Sequence, residues 1–129
     1  MKGLIIYKTE YGTTKQFAEW IKEDTGFDLK NINEIKKINI IDDYDVIVLG
    51  SFIHAFKIGI SDWIKKNWLC LNNKKIVLFL TSGADKSNSL EIDRFIKNSL
   101  PDVIIEKIKY FCVGGKYVVD ELSFVERTL

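Results

Sequence analysis

The sequence predicts an α/β architecture: a doubly wound, five-stranded parallel sheet in the order 2-1-3-4-5, with helices on both faces. Short, nearly all-apolar runs recur: Leu4-Ile5-Ile6-Tyr7, Val46-Ile47-Val48-Leu49, Ile76-Val77-Leu78-Phe79-Leu80 and the less pure Tyr110-Phe111-Cys112-Val113. Runs of this length, with β-branched residues dominating the first three, fit strands buried on both faces, as in a parallel sheet. Helical patterns fall between the runs, so strand and helix alternate along the chain. Right-handed crossovers then place helices on both faces. Five strands in a chain of 129 residues suit this compact order.

In chain order, the first strand is followed by a helix over residues 13–23, where Phe17, Ala18 and Ile21 have i, i+1, i+4 spacing and Trp20 lies beside them. Residues 27–32 alternate and read as an edge strand. Residues 33–43 read as an irregular connection with at most one helical turn. After the strand at Val46, Ile60, Trp63, Ile64 and Trp68 form one helical stripe. After the strand at Ile76, Ile92, Phe95, Ile96 and Leu100 form the next, and Leu122, Val125 and Leu129 begin a short final one. Ser61-Asp62, and Ser87 or Ser89, fit helix caps. No repeat, linker or low-complexity segment interrupts the pattern.

The length suits one domain over residues 1–129, able to bury a core without a disulfide or metal. Lys plus Arg number 19 and Asp plus Glu 18, a net charge of +1. That balance argues against a nucleic-acid binder, which carries a basic excess, and against an acidic carrier that docks electrostatically. At 47% hydrophobic and 12% aromatic residues the chain is not disordered. No apolar run approaches the ~18 residues of a membrane span. The apolar stretch after Met1-Lys2-Gly3 is too short for a signal peptide, so the expectation is a cytoplasmic protein. Cys70 and Cys112 form no C-x-x-C pair and read as reduced, partly buried cysteines.

Open parallel sheets bind ligands at the carboxyl ends of their strands, near the switch point between the first and third. The first such loop reads Lys8-Thr9-Glu10-Tyr11-Gly12-Thr13-Thr14-Lys15. Backbone N–H groups at a helix start are unpaired and partly positive. Threonine hydroxyls beside them can donate to a phosphate, and Gly12 allows a tight turn around it. Residues 11–18 contain no acid, although helix starts favour Asp and Glu, and they do contain Lys15. A bound anion accounts for that absence; an ordinary Thr-capped helix is the other reading. Neither a Walker A loop nor G-x-G-x-x-G is present.

The second loop, Gly50-Ser51-Phe52-Ile53-His54-Ala55-Phe56-Lys57-Ile58-Gly59, is apolar and aromatic. Such a loop at an exposed strand end is costly unless it covers something. Phe52, His54 and Phe56 could flank a planar ring, or the loop could pack on its own neighbours. His54 is the only histidine, so no zinc site or triad can be built on a second one. It reads as a polar or stacking residue rather than a base. The third loop, Thr81-Ser82-Gly83-Ala84-Asp85-Lys86, and the fourth, ending Gly114-Gly115-Lys116, have small residues that allow close backbone approach but also form ordinary turns.

Together these loops resemble the flavodoxin superfamily, and more narrowly its short flavodoxin-domain proteins, which include bacterial flavin-dependent protoporphyrinogen oxidases. The resemblance rests on Ile5-Ile6-Tyr7 with Thr9-Glu10-Tyr11-Gly12-Thr13-Thr14-Lys15 and Ala18; on Leu49-Gly50-Ser51 with Ile53, Ala55 and Lys57; on Trp63-Ile64-Lys65-Lys66; and on Ser82-Gly83 with residues 111–124. It implies a flavodoxin-like fold and non-covalent FMN. By that resemblance Thr9, Tyr11, Gly12, Thr13 and Thr14, in the loop that includes Glu10, hold the 5′-phosphate. Ser51, Phe52, Ile53, His54, Ala55 and Phe56 line one side of the isoalloxazine. Ser82, Gly83 and the segment at Gly114 and Gly115 line the other. The family often has Pro, Tyr and Gly where this chain has Phe52, His54 and Phe56.

The implied function is an FMN-dependent redox protein, engaged in electron transfer or flavin-dependent oxidation, whose partner is an unidentified redox protein or small-molecule substrate. The cofactor carries the electron chemistry and the protein binds and tunes it. A flavodoxin-fold binding or scaffold protein that has lost flavin is the alternative. A phosphoryl-accepting receiver would need an acidic pair after the first strand and an Asp after the third; Lys8, Thr9 and Ser51 stand there. No oligomeric state can be read from the sequence.

Overall fold

The apolar runs become strands, as their composition requires. In the structure, a computed structural model, residues 2–10, 12–54, 57–81 and 89–113 are described. They form β1 (Gly3–Tyr7), α1 (Thr13–Thr25), β2 (Asp28–Asn31), β3 (Val46–His54), β4 (Lys57–Ile58), α2 (Ser61–Lys66), α3 (Trp68–Leu71), β5 (Lys75–Thr81), α4 (Ser89–Ser99), α5 (Asp102–Ile105) and β6 (Ile108–Val113). The main sheet runs β2-β1-β3-β5-β6. Its neighbouring strands are parallel throughout. With the five long strands counted in sequence, this is the order 2-1-3-4-5 that the alternation predicts.

The two-residue period of a strand sorts the core into two layers. Leu4, Ile6, Ile47, Leu49, Ile76, Leu78 and Leu80 face one side, where Ile64, Leu71, Ile96 and Ile104 of α2 to α5, with Ile60 and Leu100 beside α2 and α4, cover them. Ile5, Tyr7, Val46, Val48 and Phe79 face the other, against Phe17, Ala18 and Ile21 of α1. Phe79 pairs in register with Gly50 on β3. A Cβ at Gly50 would stand 2.1 Å from the Phe79 ring, so only glycine leaves room for it. The Phe17 ring packs on Phe79 at 5.1 Å.

Four local expectations are corrected. Strand β3 does not end at Leu49 but continues to His54 and turns back into β4, an antiparallel pairing of Ile53 with Ile58 and of His54 with Lys57. The 60–68 stripe is split into α2 and α3 at Asn67, whose side chain donates to the Trp63 carbonyl at 2.9 Å. Such a local side-chain bond competes with helix continuation. Ser61 is the first residue inside α2 rather than its cap, and Ile60 at the cap position makes no side-chain bond. The 33–43 connection holds two short 3-10 segments, Ile32–Glu34 and Ile38–Asp43, instead of one turn at most. Asn31 caps the first by accepting from the Asn33 N–H, while Glu34 accepts from the Asn31 N–H. The Ser87 cap and the stripe at Leu122, Val125 and Leu129 lie outside the described residues.

Candidate functional site

Strands β1, β3 and β5 carry their carboxyl ends to one edge of the sheet, where the described parts of the first and second loops meet beside Thr81. The first loop enters α1 through Gly12, whose φ of 92° is a left-handed value that favours glycine. The Gly12 N–H donates to Thr9 Oγ1 at 2.9 Å, which sets the turn. No side chain caps α1, and its first turn holds no acid. Among the described residues, a Cβ placed on Gly12 would meet nothing within 4 Å. The helix start therefore offers uncapped N–H groups, with the exposed Thr13 beside it.

Thr14 is placed differently. It is 1% exposed, and its hydroxyl lies 2.7 Å from that of Thr81 at the end of β5, itself 4% exposed. Thr81 in turn reaches the Ser51 carbonyl at 3.4 Å. Lys8 is half-buried and extends across to donate from Nζ to the Gly59 carbonyl at 3.2 Å, tying the first loop to the second.

In the second loop the Ser51 side chain is fully buried. Its Oγ accepts from the Ile60 N–H at 2.9 Å and donates to the Phe52 carbonyl at 3.0 Å. These bonds hold the β3–β4 hairpin against the start of α2 and leave the Ser51 hydroxyl inside the protein. The Phe52 ring lies over Gly59, where an added Cβ would come within 2.5 Å of it. Phe52 thus packs on its own hairpin. Ile53 is half-buried opposite Ile58. His54 is exposed, and its Nδ1 stands 3.7 Å from Glu10 Oε2. This contact is where the tips of the first and second loops meet. It is a solvent-facing pair, a type worth ~0–1 kcal/mol. Among the described residues no cluster of His, Cys, Asp or Glu is arranged to hold a metal ion.

The structure thus brings Thr9, Glu10, Gly12, Thr13, Thr14, Ser51, Phe52, Ile53 and His54 to one rim. The other predicted site residues, Tyr11, Ala55, Phe56, Ser82, Gly83, Gly114 and Gly115, lie outside the described residues. Sequence reasoning did not single out Thr81 or Lys8. A signal for Thr81 existed: a hydroxyl directly after the wholly apolar run 76–80 lies at the carboxyl end of a buried strand, where it must find a polar partner.

The order of the strands agrees with what comparison with known proteins finds. The profile of the flavodoxin domain family matches residues 4–129. The chain belongs to the flavodoxin domain family. It is 36% identical over 93 residues to the flavodoxin-like domain-containing protein BilS of Clostridioides difficile (strain CD3), a match covering 69% of this chain and 51% of that protein. The chain thus spans about half the length of this relative. It is 29% identical over 116 residues to an uncharacterized protein of Methanocaldococcus jannaschii, covering 89% of this chain and 76% of that one.

Solved flavodoxin structures share the fold at lower identity. Flavodoxin 2 of Bacillus cereus superposes with a TM-score of 0.64 at 20% identity, covering 99% of this chain and 97% of that one. A flavodoxin from the domain Archaea gives 0.62 at 16% identity, covering 99% of each. A flavoprotein of Lactobacillus acidophilus NCFM, solved in complex with FMN, gives 0.57 at 19% identity, covering 95% of this chain and 98% of that one. In this flavodoxin domain no described helix is long and apolar enough to cross a membrane.

Proposed function

We propose that this flavodoxin-domain protein binds FMN at the carboxyl ends of β1, β3 and β5 and serves as a cytoplasmic redox protein. The observation that carries this reading is the start of α1: uncapped, free of acidic residues in its first turn, and entered through a glycine with no described residue within 4 Å of where a Cβ would be. A phosphate fits there, accepting from backbone N–H groups and favoured by the positive end of the helix. The FMN-bound Lactobacillus acidophilus neighbour supports the choice of cofactor.

Thr9, Tyr11, Gly12, Thr13 and Thr14 are assigned to the phosphate. Thr9 Oγ1 already accepts from the Gly12 N–H, so it shapes the turn and keeps its own proton for the anion. The second loop, with Ala55 and Phe56, would offer backbone groups and the exposed His54 to one side of the isoalloxazine. Ser82, Gly83, Gly114 and Gly115 are assigned to the other side. The flavin supplies one- and two-electron chemistry when bound. The chain's residues bind it, exclude water and set which redox states are favoured.

The test is a fluorescence titration of FMN and of riboflavin with the purified protein, alongside its visible absorbance spectrum. FMN is expected to bind, and riboflavin to bind more weakly because it lacks the phosphate. Quenching of neither flavin would assign the chain to the flavin-free binding or scaffold class, which the turn of Phe52 onto Gly59 favours. Within the redox reading, electron transfer to a partner protein and oxidation of a small molecule remain two roles. The protoporphyrinogen-oxidase-like role rests on the sequence resemblance, and is checked by following porphyrin fluorescence from the reduced porphyrinogen with the FMN-loaded protein.

A further inference from the structure

We propose that Thr81 is a positioning residue for the phosphate, acting through Thr14, and that it links occupancy of the first loop to the root of the second. This rests on the FMN reading above. Three neighbouring elements carry buried hydroxyl residues: Thr14 in the first turn of α1, Ser51 within β3 and Thr81 at the end of β5, exposed by 1%, 0% and 4%. The Thr14 and Thr81 hydroxyls are 2.7 Å apart, and either can be the donor. Thr81 Oγ1 also lies 3.4 Å from the Ser51 carbonyl.

A threonine hydroxyl has one proton to donate and two lone pairs to accept with. Two arrangements follow. In one, Thr14 donates to Thr81 and Thr81 donates to the Ser51 carbonyl, which leaves Thr14 nothing to offer an anion. In the other, Thr81 donates to Thr14, and the Thr14 proton is directed to an oxygen at the start of α1. The Ser51 carbonyl then gives up its long contact with Thr81. A hydrogen bond to a charged acceptor is stronger than one to a neutral carbonyl. A donor that itself accepts a hydrogen bond is polarised and donates better. A phosphate at α1 therefore selects the second arrangement. Thr81 strengthens its binding without touching it, and the peptide between Ser51 and Phe52 senses that the phosphate is present.

The test compares FMN and riboflavin affinities for the wild type, Thr81→Val and Thr81→Ser by fluorescence quenching. Val nearly matches the shape of Thr and cannot donate; Ser keeps the hydroxyl. Thr81→Val is expected to weaken FMN binding by about 3- to 10-fold, the worth of one hydrogen bond. Riboflavin affinity is expected to change by less than about twofold, the phosphate-specific part being absent. Thr81→Ser is expected to restore FMN binding. Equal loss of both flavins, loss of neither, or failure of the Ser variant to restore binding overturns the proposal while leaving the FMN reading intact. A wild type that quenches neither flavin overturns that reading, and the proposal with it. An independent readout needs no variant. Adding inorganic phosphate to the flavin-free wild type is expected to shift the Phe52 amide resonance in NMR, and an unmoved Phe52 amide overturns the link to the second loop.

Discussion

The three central strands and the two edge strands of the sheet are held by different physics. All of β1, the first six residues of β3 and all but the first of β5 are buried. Their order comes from apolar packing on both faces. The edge strands are half-exposed; β2 has no buried residue, and β6 is buried only at its two ends. Each edge is fastened by one tyrosine hydroxyl donating to a carboxylate at 2.6 Å, Tyr44 to Asp28 on β2 and Tyr110 of β6 to Asp93 on α4. The candidate site stands on the central strands. A rim that must hold backbone groups in place for a ligand is built where the strands beneath it cannot shift. The edges, which carry no predicted site residue among the described ones, add such a polar bond to their strand pairing and to partial apolar packing.

The largest expected effect comes from breaking the centre. Phe79 is fully buried, seated on Gly50 and against Phe17. Phe79→Ala removes a ring that no neighbour can replace, and is expected to lower the unfolding free energy by about 3–5 kcal/mol. Chemical denaturation measures it. A cost no larger than that of an edge substitution would erase the distinction between the two regions.

The next effect is at the rim itself. Gly12 has φ 92° and, among the described residues, nothing within 4 Å of its missing Cβ, so Gly12→Ala is expected to add backbone strain rather than a clash. A loss of about 1–2 kcal/mol is expected. Gly12→Asn is expected to lose less, since Asn tolerates the left-handed region. Both variants place a side chain in the space assigned to the phosphate, so FMN affinity is expected to fall even for Gly12→Asn. Denaturation curves and flavin titration separate the two contributions. Unchanged FMN affinity in Gly12→Asn would move the phosphate away from the start of α1.

The same contrast explains how much could be read from the chain alone. Runs such as Ile76 to Leu80 are unambiguous, because an unbroken apolar β-branched stretch has no stable place except between two layers. Hence the central strands, their order and the loops at their carboxyl ends were readable. The edge strand β2 showed only as a weak alternation. The hairpin that pairs His54 with Lys57 was missed because only two residue pairs form it, too few to show a periodic pattern. At the rim, Thr9, Gly12 and Thr13 were readable because a helix start has known needs. The inward turn of Thr14 was not. It depends on Thr81, 67 residues away, and a pairing at that separation leaves no local signature.

The smallest expected effect is at the edges, and it appears in the pH dependence of stability. The bond to Asp28 and partial burial push the Tyr44 hydroxyl up to about 12 from its ordinary 10.0. The bond to Asp93 does the same for Tyr110. A raised value means that the folded state holds the proton more tightly than the unfolded chain does. Below pH 10 both states are protonated, and the full contribution is present. Between about pH 10 and 12 the unfolded tyrosines lose their protons while the folded ones keep them, so unfolding releases protons and stability falls as pH rises. Tyr44→Phe is expected to cost about 1 kcal/mol or less at neutral pH, in keeping with one hydrogen bond at a half-exposed edge. It is also expected to make the decline between pH 10 and 12 shallower, and the Tyr44→Phe, Tyr110→Phe double variant shallower still. Denaturation midpoints at pH 8, 10 and 11.5 follow the slope. A decline equally steep in the double variant would show that these two bonds do not hold the edges.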